Sequence, residues 1–204
     1  MEIIIGSKNP AKPASLAPLF EGMGVALLAA PCSVPVEEAG RDPAENALLK
    51  AKGYAAHFQK PAMANDSALY LLSLPRDDPR QPGVFVRRVG GRELTDAEMV
   101  RHYSALAQSL GGRVEAAWFN GYAIAFPGGG AACFLMPERL ARGWAFYLRG
   151  EALRPLHPGY PLDSISEMVE DAAGRPLREE GVAAVKAFFA GQIEAFQKQA
   201  ACPL

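Results

Sequence analysis

Cysteine is scarce and poorly placed for structural work. Cys32, Cys133 and Cys202 are odd in number, far apart and never in C-x-x-C spacing, so neither a disulfide framework nor a zinc site is indicated. They read as buried or incidental thiols. Long apolar runs are missing too: none approaches the roughly 20 residues that a spanning helix needs. The opening Met1-Glu2-Ile3-Ile4-Ile5 carries neither a basic segment nor a cleavage site. The expectation is a cytoplasmic protein with no membrane partner. Excess charge of one sign is the third absence. With 21 Lys and Arg against 22 Asp and Glu, the formal net charge is -1, which argues against broad attraction to nucleic acid or to a membrane surface. Any anionic ligand must be met by a local cluster. There is no internal repeat, low-complexity tract or charge block.

What is present suits a globular α/β chain. The 204 residues are half apolar, enough to bury a substantial core in one domain or two small lobes. Glu2 to Ile5 is a short β-branched run ending at Gly6, the pattern of a buried opening strand. The polar turn Ser7-Lys8-Asn9-Pro10-Ala11-Lys12 leads into a predicted helix from Lys12 or Pro13 to Glu21, with Pro13 tolerated in its first turn. A strand-turn-helix unit points backbone N–H groups and a positive dipole end at the turn, which suits phosphate. Gly6 and Lys12 have P-loop spacing, but the match fails, because Ala11 replaces the second glycine and Pro13 stands where Ser or Thr would ligate magnesium, which argues against a P-loop NTPase.

A second strand is predicted over 24–30, followed by a loop from Pro31 to Arg41 with an acidic pair, Glu37 and Glu38. At Asp42 several helix-start signals coincide: Asp42 at N-cap, Pro43 at N1 and Glu45 at N3, ahead of apolar Ala47, Leu48, Ala51 and Ala55. Ala62 to Ala64 reads as a short strand whose end displays Asn65-Asp66-Ser67, where α/β folds tend to present functional side chains. A loop from Leu74 to Pro82 leads to a predicted strand holding Arg87 and Arg88. Thr95 and Glu98 form a capping box opening a helix to about Leu110. Residues 114–126 and 131–136 read as a β-hairpin around Pro127-Gly128-Gly129-Gly130. Another strand is predicted over 144–148, then an irregular loop over 156–165. Val182, Val185, Phe188, Phe189, Ile193 and Phe196 fall at helical spacing in a helix over 179–199.

The chemistry concentrates between Asp42 and Leu74. If the fold brings Glu45 and Asp66 together, they form an oxygen-rich seat for a hard cation, with Lys50 one helical turn beyond Glu45 to meet phosphate. A competing reading makes Glu45 a helix-capping glutamate with no catalytic part. Blander readings serve the other charged groups. Arg76, Asp77, Asp78 and Arg80 make a solvated loop, His57 complements a helix dipole, His102 packs or is solvated, and His157 is structural or exposed. Adjacent Arg87 and Arg88 on a strand face opposite ways, so at most one of them points at a ligand.

Four stretches resemble the inosine triphosphate pyrophosphatase family. Ile5-Gly6-Ser7-Lys8-Asn9-Pro10-Ala11-Lys12 is similar to its first strand and T-x-N-x-x-K turn, and Glu45-Asn46-Ala47-Leu48-Leu49-Lys50-Ala51 to its E-N-A-x-x-K-A helix. Asn65-Asp66-Ser67-Ala68-Leu69 is similar to its D-D-S-G-L segment, and Pro82-Gly83-Val84-Phe85 with Arg88 to its P-G-x-Y-S-A-R segment. The resemblance implies an elongated mixed twisted α/β sheet flanked by helices, with two lobes and a cleft between them. It also implies a homodimer and Mg²⁺-dependent cleavage of ITP, dITP and XTP to monophosphate and pyrophosphate, with Mn²⁺ able to substitute. The stretch 112–150 is a candidate for the smaller lobe.

Carried over, the same resemblance implies Glu45 and Asp66 at the metal, Asp66 also activating the attacking water. Ser7, Asn9, Lys12, Lys50, Ser67 and Arg88 would hold the substrate, with Tyr160 and Asp163 a weak match to the base-reading loop. Two departures stand out: Asn65 occupies the place of the first of two adjacent acids, and Leu177-Arg178-Glu179-Glu180-Gly181 stands for S-H-R-G, leaving Arg178 as the substitute. The departures keep two alternatives open: nucleotide binding with lost or altered turnover, and pyrophosphatase action on modified pyrimidine or methylated nucleotides.

Overall fold

Three consecutive isoleucines, stiff at χ1 and suited to a pleated surface, form the buried strand β1, Glu2–Ile5. The structure, a computed structural model, describes residues 1–9, 12–169 and 174–201. Two compact units divide the chain: the first holds Met1–Ser67, Asn120–Met136 and the chain from Glu179, the second Ala68–Phe119 and Pro137–Arg178.

In the first unit β1 pairs in parallel with β2 (Ala26–Ala29), Ile3 opposite Leu27, and with β3 (Ala62–Leu71), Ile5 opposite Met63. The predicted first helix is split. Helix α1 covers Lys12–Leu16 and a 3₁₀ turn covers Ala17–Phe20, because Pro18 has no N–H to continue the α ladder. Helix α2, Pro43–Phe58, starts where its signals place it: the Asp42 carboxylate accepts from the N–H groups of Ala44 and Glu45 at 2.8 and 2.9 Å. Its inner face is built of small residues: Ala47, Ala51 and Ala55 pack with Ala62, Ala64, Ala123 and Ala125 from the strands. Small side chains let backbones approach, and at Gly121 the approach is closest, since a Cβ there would lie 2.2 Å from Ala44 N.

The hairpin is observed as β6 (Arg113–Ala125) antiparallel to β7 (Ala131–Leu135), with Gly128 and Gly129 at φ of 92° and 111° in its turn. Strand β6 neighbours β3 in the sheet. Helix α5 runs over Gly174–Ala201, starting five residues before the predicted 179 because Pro176 is accommodated in its first turn. Val185, Phe189 and Ile193 are buried, with the Phe189 ring 4.5 Å from Phe20 and Phe196 stacked on Phe126 at 4.2 Å.

In the second unit the Thr95–Glu98 capping box opens α3, Asp96–Ser109, as expected. Met99, Tyr103 and Ala107 on its inner face join Leu69, Leu71, Val114, Phe146, Leu148 and Ile165 in one apolar cluster. Strand β8 (Phe146–Arg149) pairs antiparallel with the start of β6, and β9 (Ser166–Met168) with β8. Trp144 falls in a 3₁₀ turn, Arg142–Trp144, which follows the short helix α4 (Glu138–Ala141) and precedes β8. The strand predicted around 83–88 shrinks to a two-residue hairpin, β4 (Arg88–Val89) with β5 (Arg92–Glu93). Arg87 lies just before it, its carbonyl accepting from Leu94 N at 2.8 Å and its guanidinium donating to Leu94 O and Asp96. The predicted loop over 156–165 closes with a 3₁₀ turn, Pro161–Ile165.

One element changes the expected position of the chemistry. Strand β3 does not end at Ala64 but continues to Leu71, because Leu69 exchanges both backbone hydrogen bonds with Gly83 and buries its side chain. Asp66 therefore sits mid-strand.

Candidate active site

The cluster lies wholly within the first unit. Strand β1 delivers Gly6 against β3, its N–H on Met63 O at 2.7 Å. A Cβ at Gly6 would meet the Tyr54 ring at 3.2 Å, so the strand-to-turn passage is tight. Ser7 Oγ accepts from Asn9 N at 3.1 Å, and the turn closes with Lys12 N on Asn9 O at 3.2 Å. These turn residues, with Lys12, Val34, Val36, Glu38, Lys50 and Tyr54, line a cavity of about 170 Å³.

Two ammonium groups serve this cavity. Lys12 Nζ donates to Asn65 O at 2.8 Å, and burial, reinforced by the nearby Lys50 cation, pulls its pKa down to about 8. Lys50 Nζ lies 2.8 Å from Asp66 Oδ1 and 3.3 Å from Glu38 Oε1. Lys50 and Asp66 side chains are only 16% and 15% exposed, so this pair is shielded from solvent screening. Asn46 Nδ2 donates to the other Asp66 oxygen at 3.2 Å, and Asn46 Oδ1 accepts from Gly40 N at 2.8 Å. Asn65 Nδ2 faces Asp66 O at 3.2 Å and Gly121 O at 3.5 Å, and Ser67 Oγ donates to Asn120 Oδ1 at 2.6 Å.

Glu45 is turned to a different partner. Its carboxylate accepts from Arg41 N and from the Arg41 guanidinium, both at 2.8 Å, and these bonds hold it below the usual carboxylate range. The expected capping box at α2 is thus replaced: Asp42 caps the helix, and Glu45 reaches Arg41, one residue before the N-cap, instead of Asp42 N. The carboxylates that meet at Lys50 are Asp66 and Glu38.

The remaining predicted residues belong to the second unit. Arg88 sits 5.9 Å over the Phe85 ring. Asp163 Oδ2 is 3.2 Å from His157 Nδ1, whose ring is 5.5 Å from that of Tyr160. Arg178 Nη1 donates to Gly143 O at 2.8 Å, clasping the start of α5 to the 3₁₀ turn before β8.

Sequence reasoning passed over Glu38 and Asn46 as site residues. Glu38 lies in a loop whose course no local signal specifies. Asn46 did carry a signal: asparagine is a poor helix former, yet it stands on the apolar face of α2, one turn before Lys50, where only a specific partner justifies burying it.

Among the described residues no group of three or more His, Cys, Asp and Glu side chains gathers around one point. An all-protein cage for a cation is therefore absent there. Two carboxylates beside an ammonium-lined cavity do fit a small hard cation that draws its other oxygens from water and from a phosphate chain, as Mg²⁺ does.

These features define a class: an α/β protein with a cavity beside its first strand, lined by Lys12, Lys50 and Glu38. The chain belongs to the Ham1 family, whose model matches residues 3–135, as the sequence resemblance implied. It is 30% identical over 207 residues to a dITP/XTP pyrophosphatase of Geobacillus kaustophilus, covering 88% of this chain and 99% of that protein. A dITP/XTP pyrophosphatase of Coxiella burnetii is 35% identical over 103 residues, half of each chain. Among solved structures, a nucleoside-triphosphatase / dITP/XTP pyrophosphatase from Mycobacterium abscessus superposes with TM-score 0.58 at 24% identity, covering 92% of this chain and 98% of that one. A Coxiella burnetii HAM1 protein gives TM-score 0.61 at 22% identity, covering 94% and 99%. These two structural likenesses establish the fold.

Proposed function

We propose that this protein is a nucleoside triphosphate pyrophosphatase that cleaves deaminated purine nucleotides, ITP, dITP and XTP, to the monophosphate and pyrophosphate. The observation that carries the reading is the convergence of Lys12 and Lys50 on one cavity with Asp66 and Glu38 beside Lys50. Attack on a polyphosphate needs its charge neutralised and a water held near a carboxylate. Lys12 and Lys50 supply cations to the phosphates, and Ser7 and Asn9 shape the turn that receives them. Asp66 is the carboxylate assigned to orient and deprotonate the attacking water once Lys50 has moved toward phosphate. Glu38 and Asp66 would hold a Mg²⁺ ion, which supplies charge neutralisation and Lewis acidity at the phosphoryl oxygens. The names of the relatives support the same substrate class.

The test is pyrophosphate release from purified protein with Mg²⁺ and a panel of ITP, dITP, XTP, dUTP and ATP. Preferential release from the first three is the expected result; release from none of the five sinks the enzyme reading. Binding without turnover is a second reading, favoured by Asn65, which places an amide beside Asp66. It predicts that Asp66→Asn retains nucleotide affinity and that neither form is active. The homodimer implied by the resemblance and the cytoplasmic setting expected from the sequence go with the pyrophosphatase reading, and light scattering at micromolar concentration checks the dimer.

A further inference from the structure

Asparagine 46 is 2% exposed and lies inside a helix, where an unpartnered amide would be costly. Both ends of that amide are engaged. Its Nδ2 donates to Asp66 Oδ2 and its Oδ1 accepts from the N–H of Gly40, two residues after Glu38. Lys50, on the same face one turn later, takes Asp66 Oδ1. The two oxygens of Asp66 are thus assigned to two side chains of one helix, which fixes the plane of the carboxylate. The Gly40 contact is close as well: a Cβ there would sit 2.7 Å from Asn46 Oδ1, so the loop bearing Glu38 is seated directly on the amide.

We propose that Asn46 is a positioning residue that orients Asp66 through its N–H and the Glu38 loop through its carbonyl oxygen. The role is specific to an amide. Aspartate has the same shape and keeps an acceptor for Gly40, but it loses the donor to Asp66 and sets a like charge about 3 Å from it. Alanine removes both bonds and leaves the Gly40 N–H without its partner.

The inference rests on the proposed pyrophosphatase activity, and its test separates the two. Asn46→Asp and Asn46→Ala are assayed on the best substrate of the wild type. The expected result is a kcat lowered about 100-fold in Asn46→Asp and about tenfold in Asn46→Ala, with KM within about threefold of wild type in both. That ranking is the reverse of a packing role, in which the isosteric aspartate would be the milder change. A kcat for Asn46→Asp within about twofold of wild type, or a change confined to KM, overturns the proposal. If the wild type itself releases no pyrophosphate, the proposed function fails and the arrangement is read from urea unfolding of Asn46→Ala, Asp66→Ala and the double variant. Non-additive effects support the coupling of the two side chains, and strictly additive ones overturn it.

Discussion

Lys50 Nζ is shared between Asp66 Oδ1 at 2.8 Å and Glu38 Oε1 at 3.3 Å, joining a strand and a distant loop through one ammonium. Removing that ammonium leaves Asp66 and Glu38 without the cation they share. Lys50→Met is expected to destabilise the fold by about 1–3 kcal/mol, below the full value for a buried pair because Glu38 is 30% exposed. Urea unfolding checks the stability. Pyrophosphate release should fall at least about 100-fold.

The two glutamates are separable by substitution. Glu38 lines the cavity and touches Lys50, whereas Glu45 is bound by Arg41 on an exposed flank. Glu38→Gln should lower kcat at least about tenfold, and Glu45→Gln should leave it within about threefold. A larger effect at Glu45 would place the metal there, as the family resemblance implies.

Lys12 gives the site a pH dependence. Its pKa of about 8 lies below the ordinary 10.5 because burial disfavours the charge. Between these values the folded chain binds fewer protons than the unfolded one, so this group's contribution to stability rises with pH from about 8 to 10.5 and is constant below. Substrate affinity moves the other way, because the neutral amine no longer attracts phosphate. KM for ITP is expected to climb above about pH 8, and Lys12→Arg, charged throughout, should flatten that climb.

Gly121 lies against the start of α2, with no room for even a methyl group. Gly121→Ala should destabilise the protein by about 3 kcal/mol, seen as a lower urea midpoint. It should also depress kcat, since the displaced turn carries Asn46.

Elements whose signals are local were legible in the sequence. Asp42 caps α2, Thr95 and Glu98 cap α3, and a glycine turn closes the β6–β7 hairpin, because each depends on residues within a few positions of one another. The motifs single out Lys12 and Lys50 as substrate-binding candidates, and both line one cavity. Tertiary structure decided the rest. Strand β3 runs through Asn65-Asp66-Ser67 because pairing with remote segments outweighs the turn preference of those residues. The carboxylate joining Asp66 at Lys50 is that of Glu38, from a loop without local signals, while Glu45, at ideal helical spacing, is held by its neighbour Arg41. Spacing along a helix determines which side chains share a face. Only the folding of distant segments onto that face determines which charges they meet.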